Sequence, residues 1–168
     1  MIVIYTGNGK GKTSACLGQA IRAAGNEMSV AFGQFIKRDG QAGEQAFLRE
    51  LLGPRFHAKG KGFCFKGQGN EEEHKAAARE LVEWSLKMAE EVEILILDES
   101  LYALNSQLVT NEDIKKIMAA CAEHETHLIL SGRYAPDWLI QEADTVTEMT
   151  PLKHAFTKGI PAQKGIDF

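Results

Sequence analysis

The sequence predicts an α/β fold, a mostly parallel sheet with helices on both faces. Two observations carry this. The strand-like runs, "MIVIY" and "EILIL" among them, are short, continuously apolar and rich in β-branched residues, as strands covered on both faces must be. They alternate with segments of helical period, which is the pattern of a parallel sheet with crossover helices. No internal repeat and no compositional break divides the 168 residues, so residues 1–168 are read as a single domain.

Each element follows in order. "MIVIY" is the first strand, and a glycine-rich loop follows it. "KTSACLGQAIRAAGN" is a helix with Ala15, Leu17, Ala20, Ile21 and Ala24 as its apolar positions, and Gly25-Asn26 is expected to stop it. "SVAFGQF" is the second strand, and "GEQAFLRELLG" is a short helix closed by Gly53-Pro54. Residues 55–70 mix glycines, basic residues and three phenylalanines in no core pattern, and predict a loop over a site. "EEEHKAAARELVEWSLKMAEE" is a long helix whose acidic first turn suits the helix dipole. "VEILILDES" is a buried strand ending in two carboxylates. "TNEDIKKIMAACAEH" is a helix that Thr110 or Asn111 can cap. "THLILSGR" is a further strand, "APDWLIQEA" one or two helical turns, and "DTVTEM" a last short strand. The tail "KHAFTKGIPAQKGIDF" has no periodicity.

Composition narrows the function classes. Hydrophobic residues make up 44% and charged residues 25%, which is ordinary for a globular protein. The net charge of −4 argues against nucleic acid as a partner. The charge is unevenly placed. Residues 1–66 hold ten Lys/Arg against four Asp/Glu, a balance of +6, whereas residues 67–168 carry −10. A basic first third suits an anionic ligand or a solvated basic surface. Cys16, Cys64 and Cys121 form no C-x-x-C pair and read as small buried residues in a reducing compartment. No signal peptide precedes the first strand and no apolar run has membrane-spanning length, so a cytoplasmic protein without a membrane partner is expected. His57, His74, His124 and His127 read as surface residues.

The chemistry begins at "YTGNGKGKTS", Tyr5 to Ser14. A strand, a glycine loop and Gly-Lys-Thr opening a helix form a phosphate cradle, with backbone N–H groups and a helix start turned to an anion. The spacing is unusual. The pattern G-x-x-x-x-G-K-[ST] would place its first glycine at position 6, but that residue is Thr6 and the glycine is Gly7. Gly7, Asn8, Gly9, Lys10, Gly11, Lys12, Thr13 and Ser14 are the candidate ATP-binding residues. In such a loop Lys12 reaches phosphates and the Thr13 hydroxyl holds Mg²⁺. The strand ending in Asp98 and Glu99 supplies the carboxylates beside it. Together these make a P-loop NTPase-like domain. No residue stands out as a base, apart from Glu99, for activating water or an acceptor hydroxyl. The residues alone thus leave a generic P-loop ATPase or small-molecule kinase and a non-catalytic nucleotide-binding protein open, and the spacing does not fix which phosphate the cradle grips.

"GNGKGKTSA", "RAAG", "QFIK", "GE" at 43–44, "GF-C-F" at 62–65, "ILDE", "SGR" at 131–133 and "KHAF--GI-AQKGIDF" occur in that order. The sequence resembles the P-loop corrinoid adenosyltransferases, those acting on cob(I)alamin or cob(I)yrinic acid a,c-diamide, over nearly its whole length. The resemblance implies transfer of the 5′-deoxyadenosyl group of ATP to cobalt(I) of a corrinoid, with release of triphosphate, in adenosylcobalamin biosynthesis or salvage. It also implies that ATP lies reversed in the cradle. Cobalt(I) is a strong nucleophile that carries no proton, which accounts for the absent base. Lys10, Lys12 and Glu99 are then the catalytic candidates, supporting the leaving triphosphate with the loop amides and Mg²⁺. The metal falls to Thr13, Glu99 and Asp98.

Arg133 meets phosphate oxygens or forms a surface ion pair. Phe63 and Phe65 occupy the family's Gly-Phe-x-Trp segment over the corrinoid, with Phe65 in the tryptophan's place. Either they displace cobalt's lower axial ligand or they pin the loop to the core. His154 is structural or phosphate-adjacent. Ser100 follows Asp-Glu where the family usually has an apolar residue. Family members often carry an amino-terminal extension that covers the corrinoid, whereas this sequence opens directly on the strand. A homodimer and an electron donor such as a flavoprotein are the remaining implied partners.

Overall fold

The computed structural model describes residues 1–64 and 70–168. Its centre is a parallel sheet of six strands, β1 (Ile2–Thr6), β2 (Val30–Gln34), β3 (Phe56–His57), β4 (Ile94–Asp98), β5 (His127–Ser131) and β6 (Thr145–Glu148). Their order across the sheet is β3-β2-β4-β5-β1-β6. β2 and β4, the apolar runs, are buried at every position, whereas the edge strand β6 is mostly exposed and accordingly polar.

The strand period of two sorts the core into two layers. Leu95, Leu97, Leu128 and Leu130 face one way, onto α3 (Glu71–Glu91), α5 (Asn111–Glu123), α4 (Ser100–Asn105) and α6 (Asp137–Glu142). Ile94, Ile96, Ile129 and Phe32 face the other way, onto α1 (Lys12–Ala24) and α2 (Glu44–Leu52). Each fully buried leucine or isoleucine contributes about 1.5–3 kcal/mol of transfer free energy. This packing fixes where the carboxyl ends of the strands lie, and the functional loops leave from that edge.

Local signals explain most boundaries. Thr110 caps α5 with a reciprocal box: its Oγ1 accepts from the Asp113 N–H at 3.2 Å, and Asp113 Oδ2 accepts from the Thr110 N–H at 2.8 Å. α1 ends at Ala24 as expected, but Gly25 stays right-handed at φ −67° and Glu27 takes the positive φ of 61°. Residues 55–70 are not all loop. Phe56 and His57 pair with Phe32 and Gly33 as β3, and Phe56 enters the core. The tie is local: the three-residue turn Gly53–Arg55 returns the chain to the edge of β2. His74 is not at the surface. It lies on the buried stripe of α3, only 3% exposed, because its helical period matches Ala78, Leu81 and Val82. Cys16 and Cys121 are buried as expected, and Cys64 is half-buried. No helix among the described residues is long and apolar enough to cross a membrane.

Candidate active site

β1 delivers the glycine loop to the carboxyl edge of the sheet. The chain turns left-handed at Gly7 (φ 95°) and again at Gly11 (φ 119°), directly before α1. The compressed spacing has a physical reading here. Thr6 remains the last residue of β1 and is buried, so the glycine is needed one position later, where the chain first departs from the strand. The residue after β6 braces the loop from outside: the Met149 carbonyl accepts from the Gly9 N–H at 2.6 Å, and the Met149 N–H donates to the Thr6 carbonyl at 2.9 Å. Lys12 bends back into this curl. The residue is 7% exposed, and its ammonium donates to the Gly7 carbonyl at 2.8 Å and the Gly9 carbonyl at 2.7 Å. One of its three N–H bonds remains for an anion. Burial holds its pKa below the ordinary lysine value, against the opposing pull of Glu99.

Next to the loop, three neighbouring strands end in polar residues on the face toward α1. Gln34 and Asp98 are in register on β2 and β4, and Ser131 closes β5 beside them. Asp98 is fully buried. Its Oδ1 accepts from Ser131 Oγ at 2.7 Å and Thr13 Oγ1 at 3.1 Å, and Gln34 Nε2 lies 3.4 Å from Oδ2. Burial raises the pKa of this carboxyl, with Lys37, Ser131 and Thr13 pulling it back. Glu99 follows in the left-handed conformation at φ 58°, a strained position for a residue with a Cβ. Its N–H donates to Ser131 Oγ at 3.0 Å. Burial raises its pKa first and the Asp98 charge second, while Lys12, Lys37 and Arg133 act against them. That turn starts α4, a helix not anticipated from the sequence, and Ser100 Oγ donates to the Ser131 carbonyl within it.

The structure therefore brings Gly7, Gly9, Gly11, Lys12, Thr13, Asp98 and Glu99 together, with Arg133 exposed at the end of β5 and coupled electrostatically to Lys12 and Glu99. Asn8 and Ser14 are exposed beside the cradle. Lys10 does not join Lys12. Its ammonium is engaged by the carboxyl-terminal tail. Phe63 is 57% exposed and packs edge-on against Tyr102 of α4, with centroids 5.1 Å apart. Tyr102 Oη also bridges both backbone groups of Cys64 at 3.1 Å. One helix thus carries the turn after Asp98-Glu99 at its start and grips the Phe63 segment with its side. Phe65 lies outside the described residues.

Sequence reasoning placed Gln34, Lys37, Glu44 and Ser131 within the quoted motifs but gave them no role at the site. Lys37 pairs with Glu44, which also accepts from Gln34. A polar residue ending an otherwise apolar strand, on the same face as Asp98, was the available signal for Gln34 and Ser131.

Thr13, Asp98 and Glu99 offer hard oxygen donors, the kind Mg²⁺ takes. No group of three or more His, Cys, Asp or Glu side chains forms a complete metal cage among the described residues. A cation here would share its coordination with phosphate oxygens, as Mg²⁺ commonly does.

A parallel sheet, a left-handed glycine curl before a helix, a buried lysine and a hydroxyl–carboxylate pair define a P-loop nucleotide-binding protein. The particular family follows from comparison with known proteins. The model of the family described as "ATP:corrinoid adenosyltransferase BtuR/CobO/CobP" matches residues 1–168, and the chain belongs to that family. A "Corrinoid adenosyltransferase" of Pseudomonas aeruginosa is 38% identical over all of this chain and 83% of its own length. The "Corrinoid adenosyltransferase CobA" of Salmonella typhimurium is 36% identical over all of this chain and 85% of its own. Among solved structures, domain III of the Thermotoga maritima replication initiation protein DnaA aligns at a TM-score of 0.47 and 19% identity, over 95% of this chain and 58% of that one.

Proposed function

We propose that this chain transfers the 5′-deoxyadenosyl group of ATP to cobalt(I) of a corrinoid and releases triphosphate. The observation that carries the reading is the family match over every residue of the chain. The site is compatible with it in three respects. The loop amides, the free N–H of Lys12 and Arg133 offer donors to a polyphosphate. Thr13, Asp98 and Glu99 are the residues that would hold Mg²⁺, which when bound adds positive charge against the leaving group. Glu99, the one candidate base, faces the charges of Lys12 and Arg133, which favour its ionised form as a metal ligand.

The step balances simply. Cobalt(I) donates an electron pair to C5′ and becomes formally cobalt(III). The C5′–O bond breaks and triphosphate departs with that bonding pair, so no proton moves. The protein's work is orientation and charge stabilisation. ATP lies with its polyphosphate in the glycine curl and C5′ turned outward to the corrinoid. Phe63 is the described residue that would offer the corrinoid an apolar face, and the resemblance gives Phe65 the same role. An apolar ring offers cobalt no donor atom and excludes water, which favours loss of the lower axial ligand and easier reduction. A homodimer, an electron donor such as a flavoprotein and a cytoplasmic setting complete the proposal.

The test is anaerobic incubation with ATP, Mg²⁺ and chemically reduced cob(I)alamin, followed by the absorbance spectrum of the corrinoid. An alkylated corrinoid in amounts that follow the ATP supplied is expected. Corrinoid left unalkylated while ATP is consumed would overturn the reading.

A further inference from the structure

The reaction as derived leaves the end of the chain without a role, yet the tail returns to the loop. Lys10 Nζ donates to the Ile166 carbonyl at 2.6 Å and pairs with Asp167 Oδ1 at 2.9 Å. Asp167 is itself held from two directions: its Oδ2 accepts from the Gln163 N–H at 2.8 Å, and its N–H donates to the Gln163 carbonyl at 2.8 Å. The Gly165 N–H donates to the Phe168 carbonyl at 2.8 Å, with Gly165 at φ 77°. Residues 163–168 form a closed turn around one carboxylate, and that carboxylate meets a lysine flanked by Gly9 and Gly11.

We propose that Asp167 is a positioning residue for Lys10, holding the loop lysine's ammonium in place for the polyphosphate of ATP. The inference rests on the proposed function only in taking ATP as the ligand of the loop.

Stability does not account for the contact. The two side chains are 48% and 32% exposed, and exposed ion pairs add little to folding. Residues 155–168 are exposed throughout, so the turn has no core of its own to complete. Fixing a lysine costs side-chain entropy, which is recovered when an anion then binds a donor already in place. Asp167 and Ile166 occupy two of the three ammonium protons, and the third is available to a phosphate oxygen. The Lys10 hydrogen bond keeps the Asp167 carboxyl below its ordinary pKa, so the pair stays charged at neutral pH.

The experiment is a double-mutant cycle on ATP affinity in the presence of Mg²⁺, with adenosyl transfer measured in parallel. Asp167→Ala is expected to weaken ATP binding about tenfold, the scale of one charge-assisted hydrogen bond. Asp167→Asn, which keeps an acceptor oxygen, should lose less. Its melting temperature should stay within about 4 °C of the wild type, the most an exposed pair contributes. In the Lys10→Ala background, Asp167→Ala should cost nothing further, because the two act as one unit. Multiplying losses in the double variant, or wild-type affinity in Asp167→Ala, would overturn the proposal. Wild-type ATP binding without adenosyl product would remove the transferase reading and leave the affinity cycle to judge Asp167.

Discussion

Gly7→Ala tests whether the shifted glycine is what permits the loop. Two costs combine at this position. The backbone sits at φ 95°, and a Cβ in left-handed backbone costs roughly 1–2 kcal/mol. A Cβ there would also lie 2.5 Å from the Met149 carbonyl oxygen and 2.7 Å from the Met149 nitrogen. Both are backbone atoms of the segment that braces the loop, so no side chain can swing aside. Overpacking of this kind costs about 1–3 kcal/mol. The sum is about 2–5 kcal/mol, or roughly 4–20 °C of melting temperature in a domain of this size. Gly40→Ala is the control. It also has a positive φ, 73°, but nothing lies within 4 Å of its Cβ, so only the conformational cost applies. Thermal unfolding of the two variants, with ATP titration of each, separates strain from collision. Equal melting temperatures for Gly7→Ala and Gly40→Ala would refute the argument that Met149 closes around a residue without a side chain.

Other outcomes follow from the same geometry. Lys12→Ala should lower the transfer rate about 100-fold, the cost of one preorganised donor, in single-turnover kinetics. Phe63→Ala removes an aromatic contact worth about 1 kcal/mol, so it should lower the melting temperature by only about 2–4 °C, while the KM for corrinoid rises and the ATP Kd holds. Asp98→Asn should abolish Mg²⁺-dependent turnover yet raise the melting temperature, read by thermal unfolding. The sign follows from its raised pKa: the folded state binds the proton more tightly than the unfolded chain, so keeping the carboxyl ionised costs stability above that pKa. Glu99 is shifted in the same direction, so activity should fall on acidification through a pH above 4.5, the ordinary glutamate value, while circular dichroism still reports a folded chain.

The strands and the loop were legible because their causes are local. Continuous apolar runs predict strands buried on both faces, and the register then follows from the crossovers. The Thr110 cap and the Gly53 stop are equally local. What escaped was set by neighbours distant in sequence. Ser131 matters because β5 lies next to β4, and the polar end of its apolar run marks the residue without naming that neighbour. His74 is buried by the period of α3, although its residue type points to the surface. α4 opens at Glu99 in a conformation that propensity disfavours, held by contacts from Ser131. Lys10 was legible as a loop lysine, but its partner Asp167 is 157 positions away, in a tail without periodicity.

The decisive measurement is the phosphorus inventory after one turnover. With ATP, Mg²⁺ and cob(I)alamin in equal amounts, phosphorus NMR should show inorganic triphosphate appearing in step with the cobalt–carbon bond. ADP and orthophosphate in place of triphosphate would mean that the terminal phosphorus, not C5′, is attacked, and would contradict the account.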